Sequence, residues 1–459
     1  MNTSFFRDLL QTIAERGRSL IERARARNRR GNAHEHSDGL VELCEELLSG
    51  RGEASGVALA REILTRFGEL TIGPRIAFFE ALAQRFGVDR KRLEAAIETW
   101  RKAPSQEAAA EIHAASAPRR HELFGRLNLA PQGTAALVKM RAQLLDVLDR
   151  REDLAPVDDD FADQFASWFN RGFLVLRRID WSTPATVLEK IIRYEAVHEI
   201  KSWEDLRARI DPPDRRCYAF FHPALVDEPL IFVEVALTRE VPNAIAPILA
   251  LKRTPLDPER ATTALFYSIS NCQRGLSGVT FGHFLIKQVA QEVSREYARL
   301  TTFVTLSPAP GFATWLARAR ADAGSSALDE HDRAVLAGLD AAQWRQDAAG
   351  VEALRDTVLH AAAWYFLQAR NRDGAPLDPV ARFHLGNGAR LERLNWPADL
   401  SGKALAQSHG LMVNYRYDLA NIEKNHEAYA ESRKVVASSA VMRLARSAAR
   451  ELVPVPAPV

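Results

Sequence analysis

One serine stands where a side chain could meet a substrate. Ser307 follows Thr301 to Leu306, a stretch that predicts a strand, and it precedes Pro308 and Pro310, which fix an extended loop. Ligands bind at strand ends in open α/β sheets, so the hydroxyl is a candidate to orient a polar substrate group. On the residues alone, the simpler interpretation is a turn serine that caps a helix starting near Gly311. The context is not a Gly-x-Ser-x-Gly elbow, so a covalent acyl-serine is not expected.

One histidine has a context suited to proton transfer. His384 lies in the sequence FHLGNG, whose two glycines would let the backbone pass close to a ligand. Imidazole is the natural proton donor near neutral pH, although a histidine hydrogen-bonded inside a loop is the commoner case. Further along, Asn414, Tyr415 and Tyr417 form a polar aromatic group that could close a pocket. For Tyr417 a core position with a satisfied hydroxyl is an equal alternative.

The elements that position these residues centre on the stretch from Ala264 to Trp315. It predicts a strand at Leu265 to Ile269, a turn with Gly275 and Gly278, an amphipathic helix, the strand before Ser307 and a proline-bounded loop. A glycine turn that opens a helix can direct backbone N–H groups at a phosphate, assisted by the helix dipole. Such turns also occur for purely steric reasons, so the spacing alone leaves both interpretations open.

Five sequence blocks favour the phosphate-binding interpretation of this turn. They are FYSISN, QRGLSGVTFGHFLIK, TLSPAPGF, FHLGNGA and HGLMVNYRY, and they occur in this order. With them the chain resembles the malonyl-CoA decarboxylase family from about Phe161 to Tyr417. The resemblance implies an α+β protein, in which an N-terminal all-α helical bundle is followed by a mixed α/β catalytic domain. It further implies that this catalytic domain has the fold of the GNAT acyltransferase superfamily.

The resemblance also implies roles for individual residues. Ser307 matches the family's catalytic serine and His384 its catalytic acid, and we place Tyr417 beside them. The residues implied to bind malonyl-CoA are Ser277, Gly278, Val279, Thr280, Phe281, Gly282, His283, Ser307 and His384. We expect Ser307 to hydrogen-bond the substrate carboxylate, and His384 to stabilise the enolate and protonate it. A thioester carbonyl is itself an electron sink, so we expect no organic cofactor and no metal.

The CoA phosphates are harder to assign. Lys252, Arg253 and Lys287 are candidate partners, although charged faces are usually only solvated. GNAT acetyltransferases commonly carry Gln/Arg-x-x-Gly-x-Gly/Ala at this turn, whereas Arg274 to Gly278 has another spacing. His283 is expected to make a local contact and not to act in catalysis.

The domain organisation follows from a change of periodicity. Ser4 to Leu148 has helical period, with no alternation long enough for a sheet, and predicts a helical bundle. The acidic segment Glu152 to Asp160 is the best linker candidate, so we predict a helical domain at 1–160 and a catalytic domain at 161–459. Cys217 to Phe221 and Leu230 to Leu237 predict an antiparallel hairpin.

Beyond Trp315 the pattern predicts helices as far as Arg370. Pro376 to Leu400 is expected to form loops and short strands, and a last long helix is predicted from Asn425 to Arg450.

We expect the helical domain to support a homo-oligomer, a dimer or a tetramer.

Composition limits the partners and the compartment. The 459 residues carry a formal net charge of +2, which gives no reason to invoke nucleic acid or an anionic membrane. Three isolated cysteines argue against disulfides and zinc clusters, and fit a reducing cytoplasm. The Arg-rich N-terminus could be mistaken for a transit peptide, but Asp8, Glu15 and Glu22 oppose that interpretation. We therefore expect a cytoplasmic protein.

Two other functions fit the same elements. An acyl-CoA N-acyltransferase would move an acyl group to an amine without releasing CO2, and it would need an acceptor cleft and a base. A non-catalytic acyl-CoA sensor would bind CoA tightly without turnover and use the helical domain to contact a partner. Fold alone does not separate the three classes.

Overall fold

The computed structural model describes residues 33–49, 52–279, 285–345 and 347–446. The Arg-rich N-terminal segment and four of the predicted CoA-binding residues, Thr280 to His283, lie outside these ranges. The described chain forms two compact units. The first contains residues up to Val175, His222–Glu228 and the described part of Gln273–Phe281; the second contains Leu176–Phe221, Pro229–Cys272 and the described residues that follow.

The described part of the first unit is helical, as its periodicity predicts. Its helices are α1 (Ala33–Leu48), α2 (Glu53–Glu69), α3 (Ile72–Gln84), α4 (Arg90–Lys102), α5 (Gln106–Ser116), α6 (Arg119–Asn128), α7 (Gly133–Leu145) and α8 (Ala155–Trp168). Several of them bury aromatic side chains, among them Phe78 and Phe79 on α3, Phe124 on α6 and Phe161 on α8. Phe124 stacks on Phe161 with ring centroids 4.0 Å apart, and Phe165 contacts Phe161 in turn.

The predicted linker is wrong. Glu152–Leu154 forms a 3-10 turn that leads directly into α8, and the side chains of Leu154 and Val157 are fully buried. Pro156 lies in the first turn of α8, where a missing N–H costs nothing, and Asp158 in that turn complements the helix dipole. The acidic composition therefore marks the start of a helix and not a flexible connection.

The second unit is built on a mixed sheet. Its strands are β1 (Val175–Ile179), β2 (Arg215–Phe221), β3 (Pro229–Thr238), β4 (Thr263–Asn271), β5 (Thr302–Thr305), β6 (Ser307–Pro308), β7 (Arg390–Asn395) and β8 (Met412–Arg416). The strand order is β1-β2-β3-β4-β5-β8-β6, and β7 also pairs with β8. β2 and β3 form the predicted antiparallel hairpin, and β4 and β5 are parallel.

Helices surround this sheet. They are α9 (Ala185–Tyr194), α10 (Trp203–Ile210), α11 (Ala246–Leu249), α12 (Leu285–Glu296), α13 (Phe312–Ala321), α14 (Glu330–Leu336), α15 (Ala348–Leu367), α16 (Pro379–Gly386), α17 (Gly402–Ser408), α18 (Ile422–Ser432) and α19 (Ser439–Arg446). α12 lies in the connection that makes β4 and β5 parallel, because a parallel pair needs a crossover. It buries Leu285, Val289 and Val293, which share one face. This crossover places β5 beside β4, and Ser307 follows β5 after one intervening residue, as the first residue of β6.

The C-terminal prediction needs two corrections. The last long helix is interrupted, because α18 ends at Ser432 and Arg433 takes a left-handed φ of 54° before the chain resumes as α19. The segment Pro376 to Leu400 contains β7, as expected, but it also contains the helix α16.

The predicted fold class is confirmed: helices precede a unit with a mixed sheet, and the protein is α+β. None of the described helices combines the length and apolar character needed to cross a membrane. The 1–160 and 161–459 division stays a prediction.

Candidate active site

Ser307 lies immediately after the parallel strand β5. The N–H of Leu306 still donates to the carbonyl of Phe266 on β4, and Ser307 then pairs with Val413 on β8. The predicted alternative, a serine that caps the next helix, is wrong. α13 begins after Gly311 and receives no side-chain cap, and the Ser307 hydroxyl is directed elsewhere. Its side chain is buried, with 6% exposure.

His384 lies on the short helix α16 and not in a loop. Asp378 caps that helix and Pro379 occupies its first turn, a start signal that sequence reasoning missed. Gly388, the second glycine of FHLGNG, lets the backbone pack closely against Ile422. It has φ 81°, and a Cβ there would lie 2.1 Å from the carbonyl oxygen of Ile422. The imidazole is buried and stacks on Tyr415, with ring centroids 4.5 Å apart.

Three predicted site residues meet in one chain of hydrogen bonds. Ser307 Oγ lies 2.9 Å from His384 Nε2, and His384 Nδ1 lies 2.8 Å from the hydroxyl of Tyr417. The Ser307 hydroxyl also donates to Thr305 Oγ1 at 2.9 Å. Thr305 is a member that sequence reasoning missed. Its position two residues before Ser307 in an extended segment, hence on the same face, was the available signal.

The direction of these bonds assigns the tautomer of His384. The Ser307 hydroxyl has a single proton, which it donates to Thr305, so it must accept from the imidazole. Nε2 therefore carries the proton and Nδ1 accepts from the Tyr417 hydroxyl. Thr305 Oγ1 accepts a further bond, from the N–H of Tyr415 at 3.1 Å. The chain runs in one direction, from Tyr417 to Thr305.

Burial keeps the participants uncharged. It lowers the pKa of His384 to about 3, because the charged imidazolium is costly away from water. Burial likewise raises the pKa of Tyr417 well above its usual range. At neutral pH the site therefore presents a neutral imidazole that donates a hydrogen bond from Nε2.

This arrangement favours hydrogen-bond donation over nucleophilic attack. A nucleophilic serine donates its proton to a basic nitrogen, whereas Ser307 donates to Thr305 and receives from His384. A neutral N–H and a hydroxyl suit a substrate that develops negative charge. Within the described residues, no group of three or more His, Cys, Asp or Glu side chains could hold a metal ion.

The other members of the aromatic group have different environments. Asn414 is fully buried, and its amide donates to the carbonyl of Thr305 at 2.6 Å while its oxygen accepts from Arg393 and Asn395. Asn414 therefore braces the strand that precedes Ser307. Tyr415 is also buried, and its hydroxyl has no hydrogen-bond partner among the described residues.

The described part of the predicted CoA turn, Ser277 to Val279, belongs to the first unit. Gly275 has a steric role, since a Cβ there would lie 1.9 Å from the carbonyl oxygen of Val138. Arg141 fixes the turn by donating to the carbonyls of Gly275 and Ser277 at 3.0 and 2.8 Å. Nothing in the sequence near Arg141 indicated this, because the partners are more than 130 residues apart.

Two of the candidate phosphate-binding cations are engaged in ion pairs. Arg253 forms a bidentate pair with the buried carboxylate of Asp214, at 2.6 and 3.0 Å. Lys287 Nζ lies 2.6 Å from the carboxylate of Glu423. Lys252 is exposed. A role for Arg253 in phosphate binding would require it to leave a buried partner.

Comparison with known proteins identifies the family. The profile of the malonyl-CoA decarboxylase C-terminal domain matches residues 172–454, and that of the malonyl-CoA decarboxylase N-terminal domain matches residues 86–169. The chain belongs to the malonyl-CoA decarboxylase family. The predicted family and the predicted enzyme class, a carboxy-lyase, are confirmed.

Relatives match over most of their length. The mitochondrial malonyl-CoA decarboxylase of Mus musculus is 36% identical over 396 residues, 79% of this chain and 80% of the mouse protein. The crystal structure of malonyl-CoA decarboxylase from Rhodopseudomonas palustris has a TM-score of 0.86 at 58% identity, covering 89% of this chain and 99% of that one. The structure from Agrobacterium vitis has a TM-score of 0.85 at 54% identity, covering 88% and 99%.

Proposed function

We propose that this chain decarboxylates malonyl-CoA to acetyl-CoA and CO2, and that Ser307, His384 and Tyr417 carry the reaction. The observation that supports this most directly is the single hydrogen-bond chain that joins the three side chains, in the part of the sequence matched by the family's C-terminal domain. Their buried, uncharged state suits a reaction in which charge appears only on the substrate.

The first step breaks the bond between the carboxylate carbon and the α-carbon. The carboxylate leaves as CO2, and its bonding electrons pass to the α-carbon and are delocalised onto the thioester oxygen as an enolate. Ser307 turns its hydroxyl from Thr305 to the substrate carboxylate and fixes its orientation. His384 donates Nε2–H to the thioester oxygen, which is the atom that gains negative charge.

The second step consumes one proton. The enolate beside His384 raises the pKa of the imidazole, because an opposite charge favours the imidazolium. His384 takes up a proton from solvent and delivers one to the α-carbon, giving acetyl-CoA. The proton that His384 takes up enters at Nδ1, the ring nitrogen that lacks one, so the Tyr417 hydroxyl then accepts from Nδ1–H and keeps the ring oriented in both states. The net reaction is malonyl-CoA carboxylate plus one proton giving acetyl-CoA and CO2.

On the strength of the family resemblance, the CoA portion of malonyl-CoA is assigned to the segment from Ser277 to His283, and its malonyl portion to Ser307 and His384. No organic cofactor or metal is required, since the thioester is its own electron sink. A homo-oligomer in the cytoplasm remains the accompanying prediction.

The test is to incubate the purified chain with malonyl-CoA and follow acetyl-CoA and CO2 together. We expect the two products in equal amounts. Malonyl-CoA that binds and survives would contradict a decarboxylase and favour an acyl-CoA sensor. Consumption of acetyl-CoA with an added amine, without CO2, would favour an N-acyltransferase.

A further inference from the structure

Asp378 has no place in the reaction above, yet it is a buried carboxylate with 1% exposure. Its Oδ1 accepts from the N–H of Ala381 at 2.8 Å and its Oδ2 accepts from the hydroxyl of Tyr365 at 3.3 Å. The backbone N–H groups of Val380 and Gly311 also lie close enough to this carboxylate to favour its charged form. In the described part of the chain, its partners are thus neutral donors from separate segments.

Two of those segments carry the two halves of the proposed site. Gly311 lies four residues after Ser307, and Pro308 and Pro310 restrict the backbone between them. Asp378 itself lies six residues before His384, at the start of α16, the helix that carries His384. The Asp378 side chain therefore caps the helix that carries the histidine, and it binds the Tyr365 hydroxyl, which lies against the loop that follows the serine.

The third segment, α15, contributes Tyr365, which packs against the loop that follows Ser307. Tyr365, on α15, is 1% exposed, and its ring packs against Phe312, the first residue of α13, with centroids 5.6 Å apart. A Cβ on Gly311 would lie 2.6 Å from the Tyr365 hydroxyl oxygen, so the loop fits there only with glycine. The loop, α15 and α16 are consequently fixed against one another around the carboxylate.

We propose that Asp378 is a positioning residue for decarboxylation, which holds Ser307 Oγ and His384 Nε2 at hydrogen-bond distance by capping the helix that carries His384 and by binding the Tyr365 hydroxyl beside the loop that follows Ser307. This inference rests on the proposed function of that pair. Asp378 makes no hydrogen bond to Ser307 or His384 among the described residues, so its effect passes through the backbone. A carboxylate is suited to this because it accepts several bonds at once, whereas burying one without such partners is costly.

The variant Asp378→Asn separates this role from simple helix capping. Its carbonyl oxygen can still cap α16 at Ala381, but its amide cannot accept the remaining donors. We expect kcat for malonyl-CoA to fall about tenfold to a hundredfold, as small misplacements of reacting groups do, while KM changes less than about threefold. Asp329→Ala is the control, because Asp329 caps another short helix, α14, at an exposed position. Its kcat should equal that of wild type.

A second readout does not depend on turnover. The 15N shifts of the His384 ring nitrogens report its tautomer, which the bonds to Ser307 and Tyr417 fix together. We expect a single Nε2–H form in wild type and Asp329→Ala, and averaged shifts in Asp378→Asn. Tyr365→Phe removes one hydrogen-bond donor to Asp378 and keeps the ring, so it should change the His384 15N shifts in the same direction. This variant replaces Asp378→Asn in the test if Asp378→Asn does not fold.

The outcomes are separable. Asp378→Asn with wild-type kcat and wild-type His384 shifts would overturn the positioning role, as would equal losses in Asp329→Ala. If wild type does not decarboxylate malonyl-CoA, the proposed function fails on its own. The ring shifts then still decide whether Asp378 holds the serine and histidine together.

Discussion

The proposed chemistry depends on which way a few protons point. Ser307 donates to Thr305 and accepts from His384, so the imidazole faces the serine with N–H and not with a lone pair. The types of these residues were predictable from sequence, but this direction was not, because it is set by Thr305 and Tyr417. The distinction decides between a polarising pair and a nucleophilic serine.

The first prediction concerns the charge of His384. Burial lowers its pKa to about 3, so the ring should not titrate between pH 5 and 8. The folded pKa lies below the ordinary value of 6.5, so the stability that this neutral ring contributes is complete above pH 6.5 and is lost as the pH falls toward 3. Histidine 15N NMR, with His384→Gln to assign the signal, measures this. A titration midpoint near the ordinary value would contradict a buried neutral imidazole.

The second prediction compares two neighbouring tyrosines. Tyr417→Phe removes the donor to His384 Nδ1, and we expect kcat to fall about tenfold or more, because the ring loses its fixed tautomer. Tyr415→Phe is the matched control: this ring also touches His384, but its hydroxyl has no partner among the described residues. Its kcat should stay within about twofold of wild type, since no hydrogen bond is lost. Equal losses in both variants would show that packing, and not the Tyr417 hydroxyl, supports the histidine.

At the scale of elements, the strands were more predictable than the helix ends. β2 and β3 are rich in aromatic and β-branched residues and were recognised as a hairpin. The helix that carries His384 was taken for loops because it is only eight residues long and is surrounded by glycines. Its Asp-Pro start was a usable signal. The break after Ser432 had no such signal, because the residue that ends the helix there in a left-handed conformation is an arginine, Arg433.

The turn around Gly275 gives a prediction at this scale. In Gly275→Ala the new Cβ would lie 1.9 Å from the Val138 carbonyl oxygen, so the turn must move away from α7. We expect a loss of about 1–3 kcal/mol in the stability of the first unit, seen as a lower unfolding temperature. Gly125→Ala, inside α6 where a Cβ meets nothing within 4 Å, should leave that temperature unchanged or raise it. Unfolding of Gly275→Ala at the wild-type temperature would refute the steric role.

At the scale of the whole molecule, the order of helices and strands could be predicted from the sequence, because the spacing of the apolar residues changes along the chain. Contacts between distant residues were not readable. Arg141 and the predicted CoA turn are more than 130 residues apart, and Asp378 and Gly311 are 67 apart, so no local pattern links them. The family resemblance supplied the site residues, and the structure supplied Thr305, Arg141 and Asp378.

The measurement that tests the central claim most directly pairs turnover with binding in wild type, Ser307→Ala and His384→Ala. Acetyl-CoA and CO2 are quantified from malonyl-CoA, and CoA binding is followed by calorimetry. We expect equal amounts of both products from wild type, a loss of about a hundredfold to ten-thousandfold in His384→Ala, a loss of about a hundredfold in Ser307→Ala, and CoA affinity close to wild type in both. A His384→Ala variant that releases CO2 at the wild-type rate would contradict the account.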